Sequence, residues 1–402
     1  MHSVKRINGD VFWVGGDDKR ISLFENVFPV PNGMAYNSYL INDEKTLLLD
    51  AVDKAVGRVF FENLTHALQG RPLDYAVINH MEPDHCAVLP ELISRYPDMR
   101  IVGNAKTAAM IRQFFDFDPD ERILKVADGD ILNTGRHTFK FIFAPMVHWP
   151  EVMTTYDQTD CALYSADAFG SFGAHGGSIF ADDAGFKDNP ALVAEMRRYY
   201  CNIVGKYGAQ VQALLKKTQA LDIKAVLPLH GPVWRGAEDI GFVIDKHSKW
   251  SAYIPEERAV VIAYGSIYGH TENAVNILAG MLNDAGMKNV SLYDVSSTHS
   301  SVIVAEAFRA DRLVLASPTY NAAIFPPMES LILALKAHNL QNRSVALIEN
   351  GSWAPTAGGL MKELLSQMKN IRLSGEVLSI KSALNSEKLE ELKALAAVIG
   401  EQ

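Results

Sequence analysis

The sequence predicts two folds in succession, an α+β sandwich of sheets and helices and then an α/β fold with a doubly wound parallel sheet. Two observations predict this class. The first half contains short apolar strands, some joined by tight polar turns, whereas the second half alternates between strand and helix. The polar segment KWSAYIPEER separates them and contains Pro255, near which we place the boundary. The predicted domains are residues 1–254 and 255–402.

The first domain is predicted to begin with an antiparallel sheet. Its first strands are DVFWV, SYLI and TLLLD, and the polar turn NDEK between the last two indicates a hairpin. Further apolar strands that end at a polar or turn residue are YAVINH, RIVGN, FKFIFAP, CALYSAD and KAVLPLH. His80, His148, Asp167 and His230 therefore lie at strand ends. Because loops that leave strand ends converge on one edge, we expect these four residues to share one site.

In the second domain, strands and helices are predicted to alternate regularly along the chain. A parallel doubly wound sheet follows from this order, because each helix returns the chain to the same edge of the sheet. The C-terminal segment KLEELKALAAVIG predicts an amphipathic helix that covers the sheet. The predicted strands are Ala259–Tyr264, Val290–Asp294, Arg312–Ser317 and Ser344–Asn350, and the helices between them are Thr271–Asp284, Val302–Ala307 and Glu329–Ala337.

Composition excludes several classes of protein. The chain has a formal net charge of −9 and lacks a Lys/Arg run, which argues against a nucleic-acid partner. Its apolar stretches are strand-sized, so we expect no membrane segment, and the N-terminus does not read as a signal peptide. Only Cys86, Cys161 and Cys201 occur, without a C-x-x-C pair, which favours a reducing cytoplasmic location.

The segment NHMEPDHCAVLPEL predicts a metal site. It places His80, Glu82, Asp84 and His85 within six residues, directly after a buried strand. One such residue alone is usually a core histidine or a helix cap, but four in one loop would repel each other unless a cation neutralised them. Alternation along an extended segment is expected to point the side chains at 80, 82 and 84 to one side.

Three later segments supply further candidate ligands. These are His148 in APMVHWPE, Asp167 in YSADAFG and His230 in PLHGPVW. Together with the first loop they resemble the metallo-β-lactamase superfamily, which has an αββα fold and a dinuclear site built from an H-x-[HE]-x-D-H loop and three later ligands. Glu82 departs from the zinc hydrolases of that superfamily, which usually have histidine there. The site is therefore harder and more anionic.

A mixture of imidazole and carboxylate ligands suits iron, whereas closed sites rich in nitrogen and sulfur suit zinc. We predict two irons bridged by Asp167. Direct ligation by His85 is left open, because in the resembling family this histidine binds the second iron in some structures and turns away in others. Beyond the metal ligands, no separate catalytic residue is predicted.

The segment GSIYGHTENAV predicts a phosphate-binding turn. Residues Ser266, Ile267, Tyr268, Gly269, His270 and Thr271 follow a strand and open directly into a helix. Backbone N–H groups, hydroxyls and the positive end of the helix dipole together bind a phosphate without lysine. N-capping explains a short Ser/Gly/Thr turn equally well, so the turn alone leaves the choice open.

Two further loops favour a flavin. SPTYNAAIFP follows the third strand and ENGSWAPTAGG the fourth, so both lie at the carboxyl edge of the sheet, where such folds bind ligands. Tyr320 and Trp353 are expected to flank an isoalloxazine, whose polar edge meets the backbone of the neighbouring residues. The segment resembles flavodoxin in its S-x-[YF]-G-x-T and S-P-T-[YH] signatures, which implies FMN. The candidate contacts in these two loops are Ser317, Pro318, Thr319, Tyr320, Asn321, Ala322, Asn350, Gly351, Ser352 and Trp353.

The two halves together resemble the flavodiiron protein family, most closely at NHMEPDH, HWPE, SADAFG and PLHGPVW. That resemblance implies a reductase that converts O2 to water, NO to N2O, or both, at a non-haem diiron site supplied with electrons by FMN. A competing class is a zinc hydrolase fused to a flavodoxin, and metal analysis separates the two. A pure electron-transfer protein is a third class, but every ligand position carries a competent residue.

The source of electrons and the assembly are also expectations. The sequence has no C-x-x-C pair for an appended rubredoxin, so we expect a separate donor. The family resemblance implies rubredoxin or a reduced deazaflavin. The short linker near Pro255 leaves little freedom for one fold to face the other, so we expect a head-to-tail homodimer or a dimer of dimers. The sequence leaves the choice between O2 and NO open.

Overall fold

The computed structural model describes residues 1–401, which divide into two compact units. The first unit contains residues 1–200 and 207–248, and the second contains residues 201–206 and 249 onward. The predicted division at residues 254 and 255 stays a prediction. Within the described residues, no helix combines the length and apolar character needed to cross a membrane.

The first unit is a sandwich of two sheets. Residues two apart on one strand, such as Leu47 and Leu49, point toward a shared interior. They meet Phe139, Phe141 and other residues of the second sheet in one hydrophobic core. The first sheet orders its strands as Lys5–Arg6, Val11–Trp13, Tyr39–Asn42, Thr46–Leu49, Tyr75–Val77, Arg100–Gly103 and Ile123–Lys125; the second as Ile131–Asn133, Thr138–Phe143, Met153–Asp157, Ala162–Tyr164, Ala225–Leu227 and Trp234–Arg235.

Smaller elements complete the first unit. The predicted hairpin is present, since Tyr39–Asn42 pairs antiparallel with Thr46–Leu49. Two short ribbons pair Gly16–Asp18 with Met34–Tyr36 and Leu23–Phe24 with Phe28–Pro29. The α-helices before residue 252 are Gly57–Leu68, Pro83–Cys86, Leu89–Arg95, Ala105–Phe114, Pro190–Tyr199, Gly208–Thr218 and Ala237–Ser251. The last of them and a π-helix, Tyr200–Val204, extend past the bounds of the first unit.

The second unit has the predicted parallel sheet. Its strand order is Val290–Asp294, Glu257–Tyr264, Ala310–Tyr320, Arg343–Asn350 and then a fifth strand in two pieces, Ile371–Leu373 and Leu378–Ile380. A short strand, Ala323–Ile324, folds back on the long third strand. The order reverses between the first and third strands in sequence, which is where such sheets bind ligands. The fifth strand was not predicted.

Helices cover this sheet as expected. They are His270–Asp284, Ser300–Arg309, Pro326–Ala337, Ala357–Ser366 and Ser386–Glu401. The last of these is the predicted amphipathic helix, and it buries Leu392, Leu395 and Ile399 in the core shared with the first helix. Arg343 is fully buried and donates to backbone carbonyl oxygens, including that of Tyr253 at 2.9 Å. That contact fixes the segment before the first strand onto this unit.

Candidate metal centre and flavin cleft

The first candidate loop begins where the strand Tyr75–Val77 ends. Asp50, at the end of a neighbouring strand, accepts hydrogen bonds from the backbone N–H groups of Asn79 and His80 at 2.7 and 3.2 Å. The loop is not extended throughout, because Pro83 opens a helical turn and Glu82 is its N-cap residue. The expectation that residues 80, 82 and 84 share one side of an extended segment is therefore wrong.

The helical turn divides the candidate ligands into two groups. The first group is His80, Glu82, His148 and Asp167. Glu82 Oε2 lies 3.1 Å from the Nε2 atoms of both His80 and His148. Asp167 Oδ2 lies 3.1 Å from His148 Nε2 and 3.4 Å from His80 Nε2. Four ligand-capable atoms thus face one small volume.

The second group is Asp84, His85 and His230. Asp84 Oδ2 lies 3.1 Å from His230 Nε2 and 3.3 Å from His85 Nε2. Asp167 Oδ1, the other oxygen of the carboxylate in the first group, lies 3.2 Å from His85 Nε2 and 3.8 Å from His230 Nε2. Asp167 therefore lies between the groups, and the His85 side chain is turned into the second one.

The tautomers of two histidines fit metal ligation. His80 Nδ1 donates to Glu151 Oε1 at 2.9 Å, and His230 Nδ1 donates to the carbonyl oxygen of Ala35 at 2.7 Å. In the neutral imidazole each Nε2 then carries the lone pair, which faces carboxylate oxygens. Acceptors that face acceptors are stable only with a cation between them, and this donor arrangement is typical of metal-ligating histidines.

Buried polar atoms without hydrogen-bond partners also fit metal ligation. Among the described residues, both carboxylate oxygens of Asp84, both ring nitrogens of His85, Asp167 Oδ1 and His230 Nε2 are buried without a hydrogen-bond partner. Buried polar atoms without partners are costly and rare, so a cluster of them needs a ligand. Metal ions would satisfy the atoms of this set that face one another, namely Asp84 Oδ2, His85 Nε2, Asp167 Oδ1 and His230 Nε2. A set of imidazole and carboxylate ligands fits iron.

The electrostatics of the cluster also favour a cation. Burial alone would raise the pKa of Asp167, but the positive charges of His80 and His85 hold that pKa well below its usual range. Burial lowers the pKa of His148, and the hydrogen bonds to Asp167 and Glu82 outweigh it, raising that pKa to about 9. The carboxylates thus stabilise positive charge at the ring nitrogens. A metal ion supplies that charge while each imidazole stays neutral.

Two residues beside the centre were not predicted as site residues. Glu151, fully buried, accepts from His80 Nδ1–H and from the backbone N–H of Met81 at 2.8 Å. Glu151 follows His148 by three positions in the HWPE segment, and this closeness to a predicted ligand could have marked it as a site residue. Tyr199 is also buried, its ring lies 5.6 Å from that of His230, and its hydroxyl has no hydrogen-bond partner among the described residues. No sequence pattern marked it.

In the second unit, the predicted phosphate loop precedes the helix His270–Asp284. Gly269 has a φ of +85°, a conformation that favours glycine, and it is the N-cap of that helix. Ser266 Oγ accepts from the backbone N–H groups of Gly269 and Glu272 at 3.1 and 3.3 Å. Thr271 Oγ1 accepts from Asn350 Nδ2 at 3.3 Å. Both hydroxyl protons are left to donate to a phosphate.

The predicted flavin residues surround a cleft of about 590 Å³ at the carboxyl edge of the sheet. All of them line it except Gly269 and Ser317, which support the loops: Ser317 Oγ accepts from the N–H of Phe325 at 3.3 Å. Tyr268, Tyr320 and Trp353 are 87, 44 and 89 % exposed, so their ring faces are available to a planar ligand. The cleft fits the phosphate and aromatic rings of FMN.

A fourth loop also lines the cleft and was not predicted. Ser382 follows the strand Leu378–Ile380, and its backbone N–H donates to Asn350 Oδ1 at 3.1 Å. Asn350 Nδ2 in turn donates to the carbonyl oxygen of Ser382 at 2.9 Å. Ala354 is the other unpredicted lining residue. Ser382 was missed because the fifth strand was missed.

Comparison with known proteins gives three kinds of similarity. A family described as "ODP family beta lactamase" matches residues 34–231. The anaerobic nitric oxide reductase flavorubredoxin of Pectobacterium atrosepticum is 30% identical over 353 residues, which cover 86% of this chain and 68% of that protein. An uncharacterized protein of Methanocaldococcus jannaschii is 27% identical over 388 residues, 96% of each chain.

Solved structures resemble the whole chain. The rubredoxin oxygen:oxidoreductase of Desulfovibrio gigas superimposes with a TM-score of 0.90 at 27% identity, covering 99% of this chain and 98% of that one. The flavodiiron protein of Giardia intestinalis has a TM-score of 0.92 at 23% identity, covering 100% and 97%. The predicted fold class, a metallo-β-lactamase-like domain followed by a flavodoxin-like domain, is confirmed.

Proposed function

We propose that this chain, which belongs to the flavodiiron protein family, is an oxidoreductase that reduces O2 to water, NO to N2O, or both. One observation carries the proposal: the two carboxylate oxygens of Asp167 face two separate groups of metal-ligating residues. The similar proteins named above are an oxygen oxidoreductase and a nitric oxide reductase. The chain's enzyme class is accordingly oxidoreductase.

The residues proposed to hold the two irons are the seven of both groups. Iron bound there would exchange electrons one at a time and bind a diatomic molecule. The proposed ligands divide the work by chemistry: the carboxylates of Glu82, Asp84 and Asp167 neutralise the metal charge, while the histidines complete the coordination. Hydrogen bonds from the Nδ1–H groups of His80 and His230 hold their Nε2 atoms toward the centre.

The cofactor proposed for the cleft of the second unit is FMN. It would accept electrons in pairs or singly and pass them on one at a time. Ser266, Thr271 and the N-terminus of the helix His270–Asp284 would bind its phosphate, because hydroxyl and backbone donors converge there. The exposed rings of Tyr320 and Trp353 would contact the isoalloxazine.

The electron donor and assembly are part of the same proposal. We propose a rubredoxin-type donor, which the names of the similar proteins from Desulfovibrio gigas and Pectobacterium atrosepticum support. A reduced deazaflavin is the other candidate. We further propose a head-to-tail homodimer or dimer of dimers. We also propose a cytoplasmic location, which the low number of cysteines, three without a C-x-x-C pair, supports.

The zinc hydrolase fused to a flavodoxin is not favoured. The similar proteins with named activities are reductases rather than hydrolases. Glu82, where the hydrolases usually have histidine, also makes the ligand set more anionic than zinc sites of that class.

Gas consumption by the loaded enzyme tests the proposal. Protein purified with FMN and iron is reduced with rubredoxin and its reductase, and O2 and NO uptake are measured separately. We expect consumption of at least one gas, about two irons per chain by metal analysis, and no consumption by Asp167→Ala. Full iron content without uptake of either gas, or hydrolysis of a lactam or ester by a zinc-loaded chain, would contradict the proposal.

A further inference from the structure

The turn that carries Asp167 has a constrained backbone. Asp167 follows the strand Ala162–Tyr164, and residues on either side of it, Ala166 and Phe169, have φ values of +52° and +69°. Left-handed conformations are uncommon for residues with side chains and persist only where the surroundings enforce them. Something outside the turn must therefore hold it.

Two buried side chains hold the turn at Phe169. The backbone N–H of Phe169 donates to His247 Nε2 at 3.1 Å, and its carbonyl oxygen accepts from Trp234 Nε1–H at 3.0 Å. Trp234 lies on the edge strand Trp234–Arg235, and His247 lies in the helix Ala237–Ser251. The backbone N–H and carbonyl groups of Phe169 are thus both hydrogen-bonded to side chains distant in sequence.

A second hydrogen bond fixes the tautomer of His247 that can accept from Phe169. His247 Nδ1 donates to the carbonyl oxygen of Val243, one helical turn earlier, at 3.0 Å, so Nε2 carries the lone pair that accepts from Phe169. The imidazole is buried and also packs against the Phe169 ring, with centroids 4.6 Å apart. The ring cannot turn without breaking a hydrogen bond at one nitrogen or the other.

We propose that His247 is a positioning residue for the metal centre, acting through Phe169 on Asp167. Asp167 is the only proposed ligand that faces both groups, so displacing its turn disturbs both metal positions at once. Both ring nitrogens of His247 bond to backbone atoms, so His247 acts on the proposed centre through the backbone of the Asp167 turn. This inference rests on the proposed metal centre but not on the identity of the gas.

Release of Fe(II) from the full-length, FMN-loaded protein tests the inference without turnover. Wild type, His247→Leu and His247→Gln are loaded anaerobically with Fe(II), and transfer to a ferrous chelator is followed. Loss of a partner that orients a metal ligand typically costs 10–100-fold in metal affinity. We expect a loss of this size for His247→Leu and near wild-type retention for His247→Gln, whose side-chain oxygen can accept from Phe169.

A matched control separates positioning from general destabilisation. His137 is another fully buried histidine of the same unit, hydrogen-bonded at 2.7 Å to Asp157 rather than to the Asp167 turn. We expect His137→Leu to lower the melting temperature without changing Fe(II) release. The EPR spectrum of the half-reduced diiron pair supplies a second readout, because its magnetic coupling depends on the bridge. We expect that spectrum to change in His247→Leu only.

The outcomes are distinct. Wild-type Fe(II) retention and an unchanged EPR spectrum in His247→Leu would overturn the inference while leaving the proposed function intact. Equal losses in His247→Leu and His137→Leu would also overturn it, because the effect would then be one of stability. Wild-type protein that holds no Fe(II) would instead contradict the proposed metal centre, and with it any positioning role.

Discussion

Glu151 shows how one buried carboxylate orients a proposed ligand. It accepts from His80 Nδ1–H and from the N–H of Met81, so it fixes both the ring and the backbone of the first loop. We predict that Glu151→Ala lowers Fe(II) affinity about 10–100-fold. Glu151→Gln, which keeps an acceptor without the charge, should lower it less. Anaerobic titration with Fe(II) measures both variants, and wild-type affinity in Glu151→Ala would refute the role.

His247 also makes a prediction about acid stability. Burial lowers the pKa of its imidazole from a usual value near 6.5 to about 3, against a smaller effect of the Val243 carbonyl. Between about pH 3 and pH 6.5 the His247 imidazole therefore stays neutral in the folded state, whereas in the unfolded chain it takes up a proton. The contribution to stability is present above pH 6.5 and is lost as the pH falls toward 3, by up to about 1.4 kcal/mol per pH unit.

Urea unfolding of the metal-free protein between pH 4 and pH 8 measures this contribution. Wild type and His247→Gln are compared, since the difference between them cancels other titrating groups. We expect the free energy of unfolding of wild type to fall more steeply below pH 6.5 than that of the variant. Parallel curves would show that His247 is protonated equally in the two states.

At the scale of elements, the sequence predicted long and strongly apolar segments well. The strands Glu257–Tyr264 and Arg343–Asn350 contain the apolar runs AVVIAY and VALI, as buried parallel strands do. The strand Met153–Asp157 was missed, because its residues MTTYD are largely polar although all are buried. The fifth strand was missed because its two pieces of three residues each are too short to show a period.

The candidate site was predictable where several ligand types crowd one segment. His80, Glu82, Asp84 and His85 are conspicuous in sequence, and the structure brings them together with the three later residues. The helical turn Pro83–Cys86 was not predictable, since four residues are fewer than a helical pattern needs. Glu151 and His247 were missed because a single carboxylate or histidine has no distinguishing pattern. Their partners are known only once the chain is folded.

The phosphate loop makes a prediction of its own as an element. Ser266 Oγ and Thr271 Oγ1 accept hydrogen bonds within the protein, and their protons are left for a phosphate. We predict that Ser266→Ala combined with Thr271→Ala weakens FMN binding at least about tenfold, since hydrogen bonds to charged groups contribute about 1.5–3 kcal/mol each. Iron loading should be unchanged, because the metal ligands belong to the other unit.

Fluorescence titration of the apoprotein with FMN measures the effect. Thr298→Ala is the matched control, because Thr298 lies in the loop after the neighbouring strand Val290–Asp294 and does not line the cleft. Equal FMN affinity in wild type and the double variant would contradict the assignment of this loop.

At the scale of the whole molecule, the proposed head-to-tail dimer predicts complementation between chains. One chain carries Asp167→Ala and binds FMN but not iron. The other carries Ser266→Asp, which places a carboxylate where the phosphate is proposed to bind, and holds iron but not FMN. Each parent should be inactive, whereas mixed dimers should regain activity at one of their two site pairs. Subunit exchange without any regain would show that electrons pass within a chain.

The order of the proposed ligands along the chain has a consequence for protein synthesis. The loop with His80 and His85 leaves the ribosome long before His230, and the strand that leads to His230, Ala225–Leu227, pairs with Ala162–Tyr164 in mid-sheet. At about 5–20 residues per second, this interval lasts on the order of ten seconds. Throughout that time a nascent chain has the loop of acids and imidazoles without the last of the proposed ligands. We therefore expect iron to be loaded after translation of the first unit, into the folded apoprotein.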